Sequence, residues 1–145
     1  MANRAFRNQS MTYNAGFVSV EGGFVTNGAS QPTVWQGPYG LAATGPAGVS
    51  NLPLGISAIT RSGAGTYLIT FLDNFYALLY AAADLAMGTP TNNYAQLNGL
   101  TNLNTTSVLT ATISIFVGAG VADLAAGGNT NIVSFCFEFK NAGGI

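Results

Sequence analysis

Nine residues carry formal charge: Arg4, Arg7, Glu21, Arg61, Asp73, Asp84, Asp123, Glu138 and Lys140. Any acid, base or ionic ligand must come from these, the tyrosines or one thiol. Histidine is absent. Its absence removes the commonest general base, the usual metal ligand and the physiological-pH switch together. Serine–histidine and cysteine–histidine catalysis therefore cannot be built within this chain. Asp73 and Asp84 flank an apolar stretch, and paired carboxylates can hydrolyse glycosides when about 5–9.5 Å apart. Each of the two, however, sits where a turn or capping residue is expected. A calcium loop would show several oxygens at close spacing, as in D-x-D-x-D, and no such run occurs. Gly63-x-Gly65 lacks the third glycine of a dinucleotide loop and leads into a strand pattern, not a helix. Cys136 has no second cysteine to pair with and alternates with Phe135 and Phe137, so it reads as a small strand residue. No catalytic residue, cofactor or metal is expected.

The elements that would have to position any site share this neutrality. Charged residues are 6% of the chain beside 48% hydrophobic ones, against about 25% charged in an ordinary soluble domain. Polarity comes instead from 14 Asn, 15 Thr and 19 Gly. A net charge of −1 offers no footprint for phosphates, so nucleic acid is not an expected partner. The apolar run Tyr76 to Ala83 is far short of the roughly 20 residues of a spanning helix. Arg4 and Arg7 have no hydrophobic stretch behind them, so no signal peptide and no membrane are expected. The 145 residues suit one domain. A surface this poor in charge is weakly protected against association. We expect other subunits to cover much of it.

Residues 1–16 read as an arm with no period, carrying Arg4, Phe6, Arg7 and Tyr13. Residues 17–145 read as one β-sandwich domain. Phe17 to Val20 alternate, and Gly22-Gly23 suggests a bulge, bend or turn. Residues 27–55 hold four of the five prolines and form a long Gly/Pro-rich loop, with one short strand near Thr33 to Trp35. Residues 56–72 read as a hairpin turning at Ser62 to Gly65, with Tyr67, Ile69 and Phe71 on one face. Residues 73–87 read as a turn and then a strand, and 88–106 as polar loop. In 107–117, Leu109, Ala111, Ile113, Ile115 and Val117 share one face; Thr110, Thr112 and Ser114 share the other. Residues 118–129 read as loop, and 131–140 as a strand with Val133, Phe135, Phe137 and Phe139 on the core side. The expected class is all-β, an antiparallel sandwich or jelly roll. Candidate subunit contacts are Arg4, Phe6, Arg7 and Tyr13 on the arm, and Trp35 and Tyr39 on the long loop.

Two stretches carry a resemblance. Arg61 to Asp73 places Arg61, Gly63, Gly65, Tyr67, Ile69 and Phe71 two residues apart, with an acidic residue in the loop that follows. Later, the alternating strand Val108 to Val117 precedes an Ala/Asp/Gly loop and a last strand ending Phe139-Lys140-Asn141. Together these resemble small tailed-bacteriophage virion proteins of the capsid cement or decoration type. The resemblance implies a jelly-roll-like sandwich without catalytic residues, made in the host cytoplasm and placed on the capsid surface. Its implied partners are the major capsid protein and copies of itself, as dimer or trimer. The alternative is a receptor-binding, fibre or baseplate module of a phage tail.

Overall fold

Alternation of apolar residues, interrupted by bulges, builds strands through most of the described residues. The computed structural model describes residues 11–14, 16–35, 52–53, 55–89, 91–125 and 131–140. They form ten strands: β1 (Met11–Asn14), β2 (Phe17–Val25), β3 (Thr33–Trp35), β4 (Ile56–Gly63), β5 (Thr66–Phe71), β6 (Ala77–Ala86), β7 (Tyr94–Thr101), β8 (Thr110–Val117), β9 (Gly120–Val121) and β10 (Ile132–Lys140). No helix occurs among the described residues, so none there could cross a membrane. Two antiparallel sheets pack face to face as a β-sandwich. The first runs β1-β2-β10-β6. β10 lines one edge of β2 throughout, so β1 and β3 share the other edge, opposite Phe17 to Val20 and Gly23 to Val25 respectively. The second sheet runs β4-β5-β8-β7, with β9 on β8.

The core lies between the sheets. Val133, Phe135, Phe137 and Phe139 of β10 are all buried, as expected, and so are Tyr67, Ile69 and Phe71 of β5. Phe71 meets Phe137 and Phe139 edge to face at 5.2 and 5.4 Å, and Phe75 stacks on Phe139 at 4.3 Å. Such ring pairs add about 0.5–1.5 kcal/mol each beyond the area they bury. At the other end Phe24 lies against Tyr67, ring centroids 4.6 Å apart.

The turn expected before β6 is built by Asn74. Its amide nitrogen donates to the carbonyls of Asn102 and Ser107, both at 2.7 Å. Its amide oxygen accepts from the N–H groups of Phe75 and Asn104. One side chain thus ties the entry to β6 to the loop before β8.

The structure differs from the sequence-based expectation at five places, one of them β9, which pairs with β8 inside the expected loop 118–129. Residues 94–101 are the strand β7, not loop; a bulge between Leu97 and Gly99 breaks their alternation. Gly22-Gly23 forms neither a bulge nor a turn in β2, whose register against β10 is unbroken. Gly22 instead leaves room for packing, since a Cβ there would lie 2.5 Å from Pro53 and 2.8 Å from Phe135. Met11–Asn14, within the expected arm, pairs with β2. On β8, Ser114 is buried and takes a 2.7 Å bond from Asn98, while Val117 is exposed.

Candidate functional site

The clearest ionic arrangement lies at the β4–β5 turn. Arg61 is the last long side chain of β4, and its guanidinium reaches Asp123 beyond β9. Nε donates to Oδ1 at 2.9 Å and Nη2 to Oδ2 at 2.6 Å, a two-pronged pair. Oδ1 also accepts the Gly65 N–H at 2.8 Å. Gly65 has φ +59°, and any Cβ there would run into the backbone of Ala122. Only glycine suits that turn. The hydrogen bonds from Arg61 hold the Asp123 carboxyl below its usual range, and the carboxylate in turn raises the Arg61 pKa. Both side chains remain about one-fifth exposed, at 20% and 21%, so geometry is the main product of this pair. Gln31 completes the corner. Its amide takes the Arg61 N–H at 2.8 Å and donates to the Arg61 carbonyl at 3.4 Å, standing in for a neighbouring strand.

This corner gives the Arg61-to-Tyr67 spacing a structural meaning. Arg61 and Gly65 meet Asp123, and Tyr67 turns into the core. Burial, then the nearby Asp123 charge, pushes Tyr67 up to about 12. Its hydroxyl is buried with no hydrogen-bond partner among the described residues, as is that of Thr26. The acidic partner of the motif is Asp123 of the later Ala/Asp/Gly loop, not Asp73. The two stretches that carry the resemblance therefore meet in space.

Among the described residues, the other singled-out side chains do not converge on a reaction centre. Asp73 lies before β6 and Asp84 near its far end, and both are exposed. Seven strand steps from Ala77 to Asp84 span about 23 Å, too far for paired acid–base work. Among the described residues, no three His, Cys, Asp or Glu side chains gather as a metal site. Cys136 Sγ is 3.9 Å from both Ser19 Oγ and Glu21 Oε1, and burial raises its pKa. Tyr13 lies opposite Val18 on β1, and Trp35 opposite Gly23 on β3. Arg4, Phe6, Arg7 and Tyr39 lie outside the described residues.

What the fold does present is two contrasting outer faces. That of the second sheet carries no charged side chain on β5, β7, β8 or β9. Thr70, Thr110 and Thr101 form one cross-strand row on it. At one end Tyr94 and Phe116 stack, centroids 4.9 Å apart and rings 5° from parallel, with Tyr94 48% exposed. The sequence reading missed this pair because Tyr94 sat in presumed loop. The outer face of the first sheet is different. Phe17, Lys140 and Ala77 form one row across β2, β10 and β6; Ser19, Glu138 and Tyr80 form the next. Phe17 is 47% and Tyr80 53% exposed. Lys140 Nζ lies 5.8 Å from the ring centre of Tyr76. A bulge at Leu79, also 50% exposed, lets β6 bend away beside this patch. Large exposed apolar residues gathered this way mark contact surfaces more often than chemistry. No family model matches this chain, and no curated protein and no solved structure matches it either.

Proposed function

We propose that this chain is a non-enzymatic virion structural protein, a cement or decoration protein that binds the outside of a bacteriophage capsid and bridges its subunits. The observation that carries the reading is the uncharged outer face of the second sheet, with the stacked Tyr94–Phe116 pair at its end. A face of hydroxyls, amides and aromatic rings can dock on another protein without desolvating charges. Many copies holding a shell would each need only modest affinity. The pattern resemblance supplies the shell as partner; the face supplies a means of holding it. The test is to add the purified chain to capsids that lack it. The reading expects saturable binding in fixed stoichiometry and greater resistance of the shell to heat. Capsids that neither retain the chain nor gain heat resistance would sink it.

One observation favours the tail receptor-binding alternative. Gln96, opposite Ser114, stands in the row next to the Tyr94–Phe116 pair, a polar group beside exposed rings that also suits sugars. Retention on immobilised host-surface glycans that Tyr94→Ala abolishes, without capsid binding, would select it.

A further inference from the structure

We propose that the Lys140 end of the outer face of the first sheet, the rows of Lys140 and Glu138, is the interface between two copies of this chain, related by a twofold axis crossing the strands between these two residues. Apart from Arg61, every charged residue on a described strand stands on this face: Glu21 on β2, Asp84 on β6, and Glu138 and Lys140 on β10. Lys140 makes no ion pair with another described residue.

Two identical sheets packed face to face about a twofold axis obey a strict rule. Whatever residue i meets, that residue meets i on the other side. An axis across the strands lays β10 antiparallel on its own copy, so each row meets a row reflected through the axis. An axis placed on the Lys140, Glu138, Glu21 or Asp84 row would set each of those charges against itself. Between-row axes avoid this clash. Of the three available from Lys140 to Ser134, only the one between Lys140 and Glu138 opposes unlike charges. It sets Lys140 against the partner copy's Glu138, twice over. The next one along sets Lys140 against Ser134 and Glu138 against Cys136. The third leaves Glu138 against Ile132.

Size agrees with charge in the same register. Phe17 meets Ser19 of the second copy, and Tyr80 meets Ala77. Each large exposed ring faces a small residue, as interdigitating sheets about 10 Å apart require. Glu21 and Asp84 fall outside the overlap of described rows. The second sheet stays free on the far side of each copy. The inference deepens the assembly reading above, and rests on it only for the premise that the chain self-associates. Dimerisation in solution and attachment to a capsid are measured separately, so either can fail alone.

The experiment is sedimentation velocity on the full chain across a wide concentration range. The wild type should be a dimer. Lys140→Glu and Glu138→Lys should each weaken association by about tenfold or more, because each introduces two like-charge contacts. The chain carrying both substitutions should regain wild-type association, since the pair is merely exchanged. Thermal melting of each variant at low concentration separates a folding defect from an interface defect. Ala77→Tyr, which fills the space assigned to the partner's Tyr80, should also give monomer and does not depend on the charge variants. A monomeric or trimeric wild type would overturn the proposal. So would single reversals that leave association unchanged, or a double reversal that fails to restore it.

Discussion

Replacing Gly22 by alanine tests the packing between the first sheet and the segment before β4. The added methyl would lie 2.5 Å from Pro53 Cγ, 2.9 Å from Pro53 Cβ and 2.8 Å from Phe135 Cζ. Pro53 is a rigid ring, and Phe135 is fixed among other phenylalanines, with Phe137 5.7 Å away. Neither can swing aside as a flexible side chain could. Overpacking of this kind costs about 1–3 kcal/mol. Against it, alanine in a strand regains roughly 0.5–1 kcal/mol of the backbone entropy that glycine loses. The net expectation is a loss of about 1–2 kcal/mol, and a melting temperature lower by about 2–8 °C for a domain of this size. Gly99→Ala is the control. It sits in β7 with no atom within 4 Å of a new Cβ, so the entropy gain stands alone and stability should hold or rise. Calorimetry or urea titration of both variants measures the difference. Pro53→Ala should restore part of the Gly22→Ala loss, giving a coupling energy in a double-mutant cycle. A Gly22→Ala protein as stable as Gly99→Ala, with no coupling to Pro53, would refute the close-packing argument.

Other expectations concern the turn corner and the thiol. Gly65→Ala combines a left-handed φ of +59° with a collision against the Ala122 backbone, and should destabilise by about 3 kcal/mol or more, read by urea titration. Tyr67→Phe removes a buried hydroxyl that has no partner and should leave stability unchanged or raise it by about 1 kcal/mol. Tyr67 is raised to about 12 in the fold, so its contribution is complete below its ordinary value of 10.0 and is lost as pH climbs from there to about 12. Melting of the wild type should fall across that window, and Tyr67→Phe should flatten the fall. Asp123 has the opposite sign: its pKa is lowered, so stability should decline as pH drops from 3.8 through its folded value, and Asp123→Asn should blunt the decline. Cys136, raised by burial, should alkylate slowly near neutral pH and faster as pH rises, followed by intact mass.

Legibility in the sequence followed the regularity of the alternation. Residues 131–140 alternate without a break, and every core assignment there holds. The 56–72 hairpin was readable because its glycines mark the turn and its apolar residues keep period two. β7 was not readable, because its bulge at Asn98 moves Leu100 one step out of phase with Leu97. β1 was missed because four mixed residues are too few to show a period. Gly22-Gly23 was misread because a glycine kept for a neighbour's bulk looks, in sequence, like one kept for its own backbone freedom. The Arg61–Asp123 pair joins residues 62 apart, and no local pattern announces such a contact. The outer-face rows also emerged only with the register, since Phe17, Lys140 and Ala77 come from three distant stretches.

The place of β10 between β2 and β6 has a consequence for how the chain comes to fold. β4, β5, β7 and β8 lie within residues 56–117 and can assemble as soon as that stretch is made. β2 and β6 have no ladder with each other, and both wait for residues 132–140. Until those emerge, the apolar faces of β2 and β6 have no central strand to align them. Pairing across more than a hundred residues is slow to close. During synthesis a half-built sandwich with sticky strands therefore waits on β10 for its completion. Removing Phe135 to Lys140 would part β6 from β2 and so take the centre out of the first sheet, not a strand from its edge.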